Sequence, residues 1–120
     1  IPSMRTPNNI IELCKNKLRT NSLIIDSVDK KAYLSALSLA KYIAVTCDST
    51  SMISEAALTG KPIYVADIPT KKNDQRFQKF KKLFHQLNII KKLDTKLETW
   101  DYEILDETSR VAKEIKKQLT

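Results

Sequence analysis

Glycine is almost absent from this chain: Gly60 is the only one in 120 residues, where average usage would supply roughly eight. A Gly-rich dinucleotide fingerprint and a P-loop are thereby excluded, because each needs several glycines to bring backbone close to phosphate. Histidine is limited to His85. It lies beside an apolar stripe, where a partly exposed structural role fits better than a Ser/His/Asp or Cys/His arrangement. No His, Cys or carboxylate spacing reads as a metal site, and no cofactor is implied. Cys14 and Cys47 have apolar neighbours and no CxxC spacing. They read as reduced, buried small side chains of a cytoplasmic protein, not as a disulfide. No apolar run approaches the roughly 18 residues of a membrane span, and no signal peptide is visible.

What is abundant is positive charge. The formal net charge is +7 from 21 Lys+Arg against 14 Asp+Glu, a balance that raises nucleic acid or an anionic surface as partner. The excess is local. Between residues 71 and 92, Lys71, Lys72, Arg76, Lys79, Lys81, Lys82, Lys91 and Lys92 face Asp74 alone, and the remainder of the chain is neutral. Phe77, Phe80 and Phe84 interleave with these cations, but at core spacing. They are therefore expected in a buried stripe and not stacked on bases, which argues against nucleic acid and for a solvated helix face. An acidic protein or lipid surface meeting 71–92 is the alternative.

Apolar periodicity alternates along the chain between helix and strand. Helical spacing predicts helices over 8–18, 31–40, from the Asp48–Ser51 cluster to Leu58, and 74–88. A last helix after Asp106 is expected to bury Val111, Ala112, Ile115 and Leu119. Leu23-Ile24-Ile25, Tyr42 to Thr46 and Ile63 to Ala66 read as buried strands. Ile1-Pro2-Ser3 reads as the tail of a first strand, so the chain is expected to be a piece of a longer protein. Gly60 suits a left-handed C-terminal cap before Pro62, and Asn88 suits the same role after the fourth helix. Leu93 to Tyr102 looks irregular. Strands alternating with helices predict an α/β fold with a parallel sheet of about four strands, in the order 2-1-3-4, and helices on both faces.

In open parallel sheets the ligand crevice lies outside the carboxyl ends of the strands. The residues 3–7, 26–29, 46–51 and 67–72 converge there in this reading. Asp48, Ser49, Thr50 and Ser51 join a strand to a helix, where free N–H groups and hydroxyls suit a phosphate or diphosphate. The same residues serve equally as an ordinary N-cap worth about 1 kcal/mol. Glu55, one turn on, is either an acceptor for a ribose diol or a solvated helix residue. Arg5 is free to pair with an anion or with a neighbouring carboxylate.

The run from Val45 to Val65, with its Asp48-Ser49-x-Ser51-Met52-x-Ser54-Glu55-Ala56 core and Thr59-Gly60-Lys61-Pro62 end, resembles the mitochondrial-fission ELM-type family. Three further stretches are similar to that family in the same order: Ser3 to Pro7, Arg76-Phe77-x-x-Phe80, and Trp100-x-Tyr102 followed by Asp106, Thr108, Arg110, Val111 and Ala112. Members of the family look like GT-B glycosyltransferases and have been loosely labelled nucleoside-diphosphate-sugar epimerases. The resemblance implies that residues 1–120 form a single Rossmann-like domain, the C-terminal, donor-binding half of a two-domain GT-B-like protein whose N-terminal domain is missing.

On that resemblance Ser49, Thr50 and Ser51 approach the donor diphosphate, and Glu55 sits where ribose hydroxyls are held. Ser3, Arg5 and Thr6 flank the phosphates. Departures from the family pattern fall at Met4, at Lys31-Ala32-Tyr33 and at Asn88. A nucleotide sugar or another phosphate-bearing ligand is thus the expected partner. The catalytic base belongs to the missing half, so the chain alone is not expected to turn over substrate. Apolar surface left by the missing domain offers a route to a homodimer. The alternative implied by the family's fission role is a non-catalytic protein-interaction module.

Overall fold

The computed structural model describes residues 1–3, 6–18, 20–46, 50–67, 75–94, 96–105 and 107–119. It divides into two compact units, Ile1–Leu39 and Ala40–Thr120. The first holds α1 (Asn8–Lys17) and α2 (Lys30–Leu39). Pro7 precedes α1 in an extended conformation, and Lys15 and Lys17 lie in its last turn, where cations complement the helix dipole. Asp29 caps α2 by accepting the Ala32 N–H at 3.1 Å. Lys15 pairs with Asp26 at 3.0 Å and with Glu12 at 3.6 Å. Neither helix buries a residue.

Two expected strands are absent from this unit. Ile1 to Ser3 and Leu23 to Ile25 belong to no strand, and Leu23 is 88% exposed. An apolar run becomes a strand only where a neighbour supplies the ladder of hydrogen bonds. The sheet accordingly has three strands among the described residues, not four. Cys14 is half-buried, against the expected full burial, and Cys47 lies outside the described residues.

The second unit contains β1 (Ile43–Thr46), α3 (Thr50–Ala57), β2 (Ile63–Ala66), α4 (Gln75–Gln86), β3 (Ile90–Lys92) and α5 (Glu107–Leu119). The strands are parallel in the order β1-β2-β3, with Ile43 opposite Ile63 and Ile63 opposite Ile90. The two strands that sequence reading placed last in its 2-1-3-4 order are indeed neighbours. The third strand lies beyond them, where none was expected. Each crossover steps one strand in the same direction, and right-handed crossovers then put α3 and α4 on the same face.

That face carries the core. Ile43, Val45, Ile63, Val65 and Ile90 pack with Ile53, Ala56 and Ala57 of α3 and Phe84 of α4, all buried. Phe80 stacks on Phe84 at 4.2 Å. Phe77 and Phe80 are half-buried, as the core spacing predicted, whereas Leu87 stays 42% exposed.

On the other face Tyr64, opposite Lys91 in register, is covered by the irregular segment 96–104. Tyr64 receives the Glu98 N–H at 2.6 Å and donates to the Glu98 carbonyl at 3.1 Å. Trp100 meets Tyr64 edge-on at 5.3 Å and lies under Lys91 Nζ at 4.5 Å. Its indole N–H donates to the Asn88 carbonyl at 2.8 Å. Tyr102 donates to the Lys61 carbonyl at 2.7 Å.

Two left-handed residues shape the turns as expected. Gly60 ends the α3 turn at φ 71°, and Asn88 follows α4 at φ 60°. A Cβ at Gly60 would meet Ile104 Cδ1 at 3.2 Å. Gly60→Ala is therefore expected to cost about 1–2 kcal/mol from the left-handed backbone, more if Ile104 cannot yield. Urea unfolding measures it, and an unchanged midpoint would contradict this geometry.

Burial pushes the Tyr102 phenol up from 10.0 to about 12, opposed by a hydrogen bond with Thr59. The folded chain thus keeps its proton where the unfolded chain loses it. Stability from this linkage is whole below pH 10 and is lost as pH rises towards 12. A spectrophotometric titration should show one tyrosine ionising near 12, and Tyr102→Phe should remove that component.

The last helix departs from expectation. Every described side chain of α5 from Ser109 onward is exposed, including Val111, Ala112, Ile115 and Leu119. Helical spacing builds an apolar stripe, but only a tertiary neighbour buries it.

Candidate functional site

Two groups of side chains follow the carboxyl ends of β1 and β2 in the second unit. After β1 the chain enters α3 at Thr50. Ile53, Ala56 and Ala57 turn into the core. Ser51 and Glu55, four residues apart and both exposed, therefore share the solvent side of the helix, one turn from each other. Ser54 is exposed beside them, four residues from the half-buried Thr50. Sequence reading did not single it out, although the same i,i+4 spacing points to it. The side of α3 turned away from the core thus presents hydroxyls and one carboxylate.

The second group follows β2. Asp67 accepts a hydrogen bond from Lys81 of α4, across 14 positions of sequence. The Lys81 ammonium holds the Asp67 carboxyl below its ordinary value; partial burial opposes this, and the charges of Lys92 and His85 assist. Lys92 ends β3, so this edge carries two lysines near one carboxylate. Sequence reading placed 67–72 among the crevice segments and read the lysines of 71–92 as a solvated face, without pairing the two. A pairing between the residue after β2 and the middle of α4 leaves no local signature.

Ser3 and Thr6 belong to the first unit. The Thr6 hydroxyl accepts the Ser3 N–H at 2.9 Å and lies 3.3 Å from the Ser3 hydroxyl, while the Thr6 N–H donates to the Ser3 carbonyl at 3.1 Å. The two hydroxyls thus lie against each other just before α1. Arg5, Asp48 and Ser49 lie outside the described residues, as do Lys71, Lys72, Asp74 and Asp106.

Chemically, the edge of the second unit offers neutral donors, two carboxylates and cations, the inventory for binding a polyhydroxylated anion. Among the described residues no group of three or more His, Cys, Asp or Glu is placed to hold a metal ion. Among them, too, no helix is long and apolar enough to cross a membrane.

Comparison with known proteins covers nearly the whole sequence. A family model described as mitochondrial fission ELM1 matches residues 1–119. The uncharacterised protein RP120 of Rickettsia prowazekii is 37% identical over 121 aligned residues, covering 95% of this chain and 34% of the relative. The mitochondrial fission protein ELM1 of Arabidopsis thaliana is 27% identical over 122, covering 98% of this chain and 28% of the relative. The chain therefore spans about a third of the length of these curated relatives. No solved structure matches it significantly.

Proposed function

Because this chain belongs to the mitochondrial fission ELM1 family, we propose that it is the nucleotide-binding half of a GT-B-like glycosyltransferase fold. It takes the diphosphate of a nucleoside-diphosphate sugar at the carboxyl edge of a Rossmann-like sheet. The observation that carries this reading is the parallel β1-α3-β2 unit, which starts α3 at the sheet edge with Ser51 and Glu55 on its open side.

In this reading Ser49, Thr50, Ser51 and the first N–H groups of α3 neutralise the diphosphate as it becomes a leaving group. They do so by hydrogen bonding and by the positive end of the helix dipole. Glu55 accepts from the ribose hydroxyls. The general base is supplied by the portion of the relatives that this chain does not span, so the chain binds without turnover.

Titration with UDP, ADP and UDP-sugars, followed by amide NMR, should shift Thr50 to Glu55. Ser51→Ala and Glu55→Gln should each weaken binding about three- to tenfold, the worth of one hydrogen bond. No shift in that stretch at millimolar nucleotide would end this reading.

A second reading is favoured by α4. Lys79 and Lys82 are exposed, and the helix carries no acidic residue. A non-catalytic module would offer this face to an acidic protein. Charge reversal at Lys79 and Lys82 should then abolish a salt-sensitive pull-down while leaving nucleotide binding intact.

A further inference from the structure

Among the described residues, four ionisable side chains gather where β2 and β3 end. Ile63 and Val65 face the helices, and Tyr64 faces the segment 96–104. Residues two apart share a face of a strand, so Asp67 leaves β2 on the helix side, where Lys81 of α4 meets it. Lys92 stands opposite Val65 in register and turns to the same side. Lys91 turns the other way, to Trp100 and Glu98. His85 follows Lys81 by four residues, one turn along the same face of α4. The charges of Lys92 and His85 both reach the Asp67 carboxyl. Cations outnumber the acid here. Lys81 is engaged by Asp67 and Lys91 by Glu98. Lys92, exposed at the strand end, forms an ion pair with no carboxylate among the described residues, Asp94 included. With His85 counted neutral, Asp67, Lys81 and Lys92 leave one positive charge.

We propose that the sugar carried by the nucleotide is a uronic acid, whose carboxylate pairs with Lys92 beside Lys81 and Asp67. The inference rests on the nucleotide-binding reading and names the substrate class of that same edge. Thr46 stands opposite Ala66 in register, so β1 and β2 release their chains at one level. Neighbouring strands are about 4.8 Å apart, and Lys92 therefore lies roughly 10 Å across the sheet from the end of β1. A diphosphate at the start of α3 and the hexose attached to it together span that distance, over the end of β2. Charge selects the substituent on the sugar. A neutral hexose leaves the Lys92 ammonium without a counter-charge. A phosphorylated one brings nearly two negative charges to a single uncompensated cation, whereas a carboxylate brings one. Asp67 does not repel that carboxylate, because the Lys81 ammonium already neutralises it. Its remaining lone pairs accept from a neighbouring sugar hydroxyl.

The test compares UDP-glucose with UDP-glucuronate, which differ only in the carboxylate that replaces one hydroxymethyl group, by calorimetric titration of the whole chain at low and high salt. UDP alone, followed by the amide signals of Thr50 to Glu55, reports separately on nucleotide binding. UDP-glucuronate should bind about two- to fivefold tighter than UDP-glucose, the worth of one exposed ion pair. Added salt should shrink that ratio. Lys92→Gln should bring the ratio to about one, and because Lys92 is exposed, circular dichroism should show the variant folded like the parent. Lys79→Gln, at an exposed position two residues from Lys81 and so on another side of α4, should leave the ratio as it is in the parent. Equal affinities for the two sugars while UDP binds would overturn this proposal alone. So would a ratio that survives Lys92→Gln, or one that Lys79→Gln lowers as much, which would assign the preference to the overall charge. Absence of a UDP response in α3 would overturn the nucleotide-binding reading and this proposal with it.

Discussion

Replacing Ile63 by alanine is expected to destabilise the protein by about 2–5 kcal/mol. Ile63 has no exposed surface. It sits in the central strand with Ile43 on one side and Ile90 on the other, facing the layer formed by Ile53 and Ala56. Three methylene or methyl groups would leave a cavity bounded on both flanks by ladder hydrogen bonds, so the backbone cannot collapse into it. A domain of this size is stable by only about 5–15 kcal/mol, and the loss is a large share of that. Urea titration should show a lower midpoint at unchanged slope. Leu119→Ala, at a residue 82% exposed, is the control and should barely move the curve. A loss below about 1 kcal/mol for Ile63→Ala would mean that the sheet does not hold the core.

Trp100→Ala is expected to cost about 2–3 kcal/mol. The edge-on contact with Tyr64 contributes about 0.5–1.5 kcal/mol beyond its area. The Lys91 contact adds about 0.5–1 kcal/mol, and the bond to the Asn88 carbonyl about 1 kcal/mol. These contacts join an irregular segment to β2, to β3 and to the turn after α4. Removing the indole should therefore loosen 96–104 as a whole, and Tyr64 should become accessible. Trp100→Phe keeps a ring over Tyr64 but donates no hydrogen bond, so it should recover roughly half the loss. Trp100 is the only tryptophan, so its fluorescence reports directly on this segment in the parent. Emission should shift to the red in the same urea range as the loss of circular dichroism. A shift well before it would show that the segment leaves the sheet independently.

Much of the secondary structure was legible in local spacing. The helices over 8–17, 30–39, 50–57 and 75–86 fall within about two residues of the expected bounds, and so does the helix after Asp106. The strands Ile43–Thr46 and Ile63–Ala66 were visible as β-branched and aromatic runs. β3 was not, because Ile90-Lys91-Lys92 has no apolar alternation to read. It is a strand because β2 offers it a ladder, down to the Leu93 N–H donating to the Val65 carbonyl at 3.1 Å. Leu23 to Ile25 shows the converse, a strand-like run without a partner strand. At the site, Ser51 and Glu55 were placed together by helical spacing alone. The Asp67–Lys81 pair was not, since it joins the end of β2 to the middle of α4, 14 positions away, which only the packed fold brings near.

The sequence by itself determined the alternation of helix and strand, the position of the left-handed residues Gly60 and Asn88, and the family to which the chain belongs. All three rest on local signals: side-chain periodicity, the steric freedom of one residue, and an ordered set of motifs. Only the tertiary structure decided which apolar stripes are covered. Phe84 and Val111 both lie on the apolar stripe of an amphipathic helix, yet one is buried against the sheet and the other is 47% exposed. Burial depends on what lies opposite a surface, and no window of neighbouring residues contains that information. The same holds for Trp100 and Tyr102, which the sequence marked only as a motif and which the fold uses to cover Tyr64 and tie down the turn at Lys61.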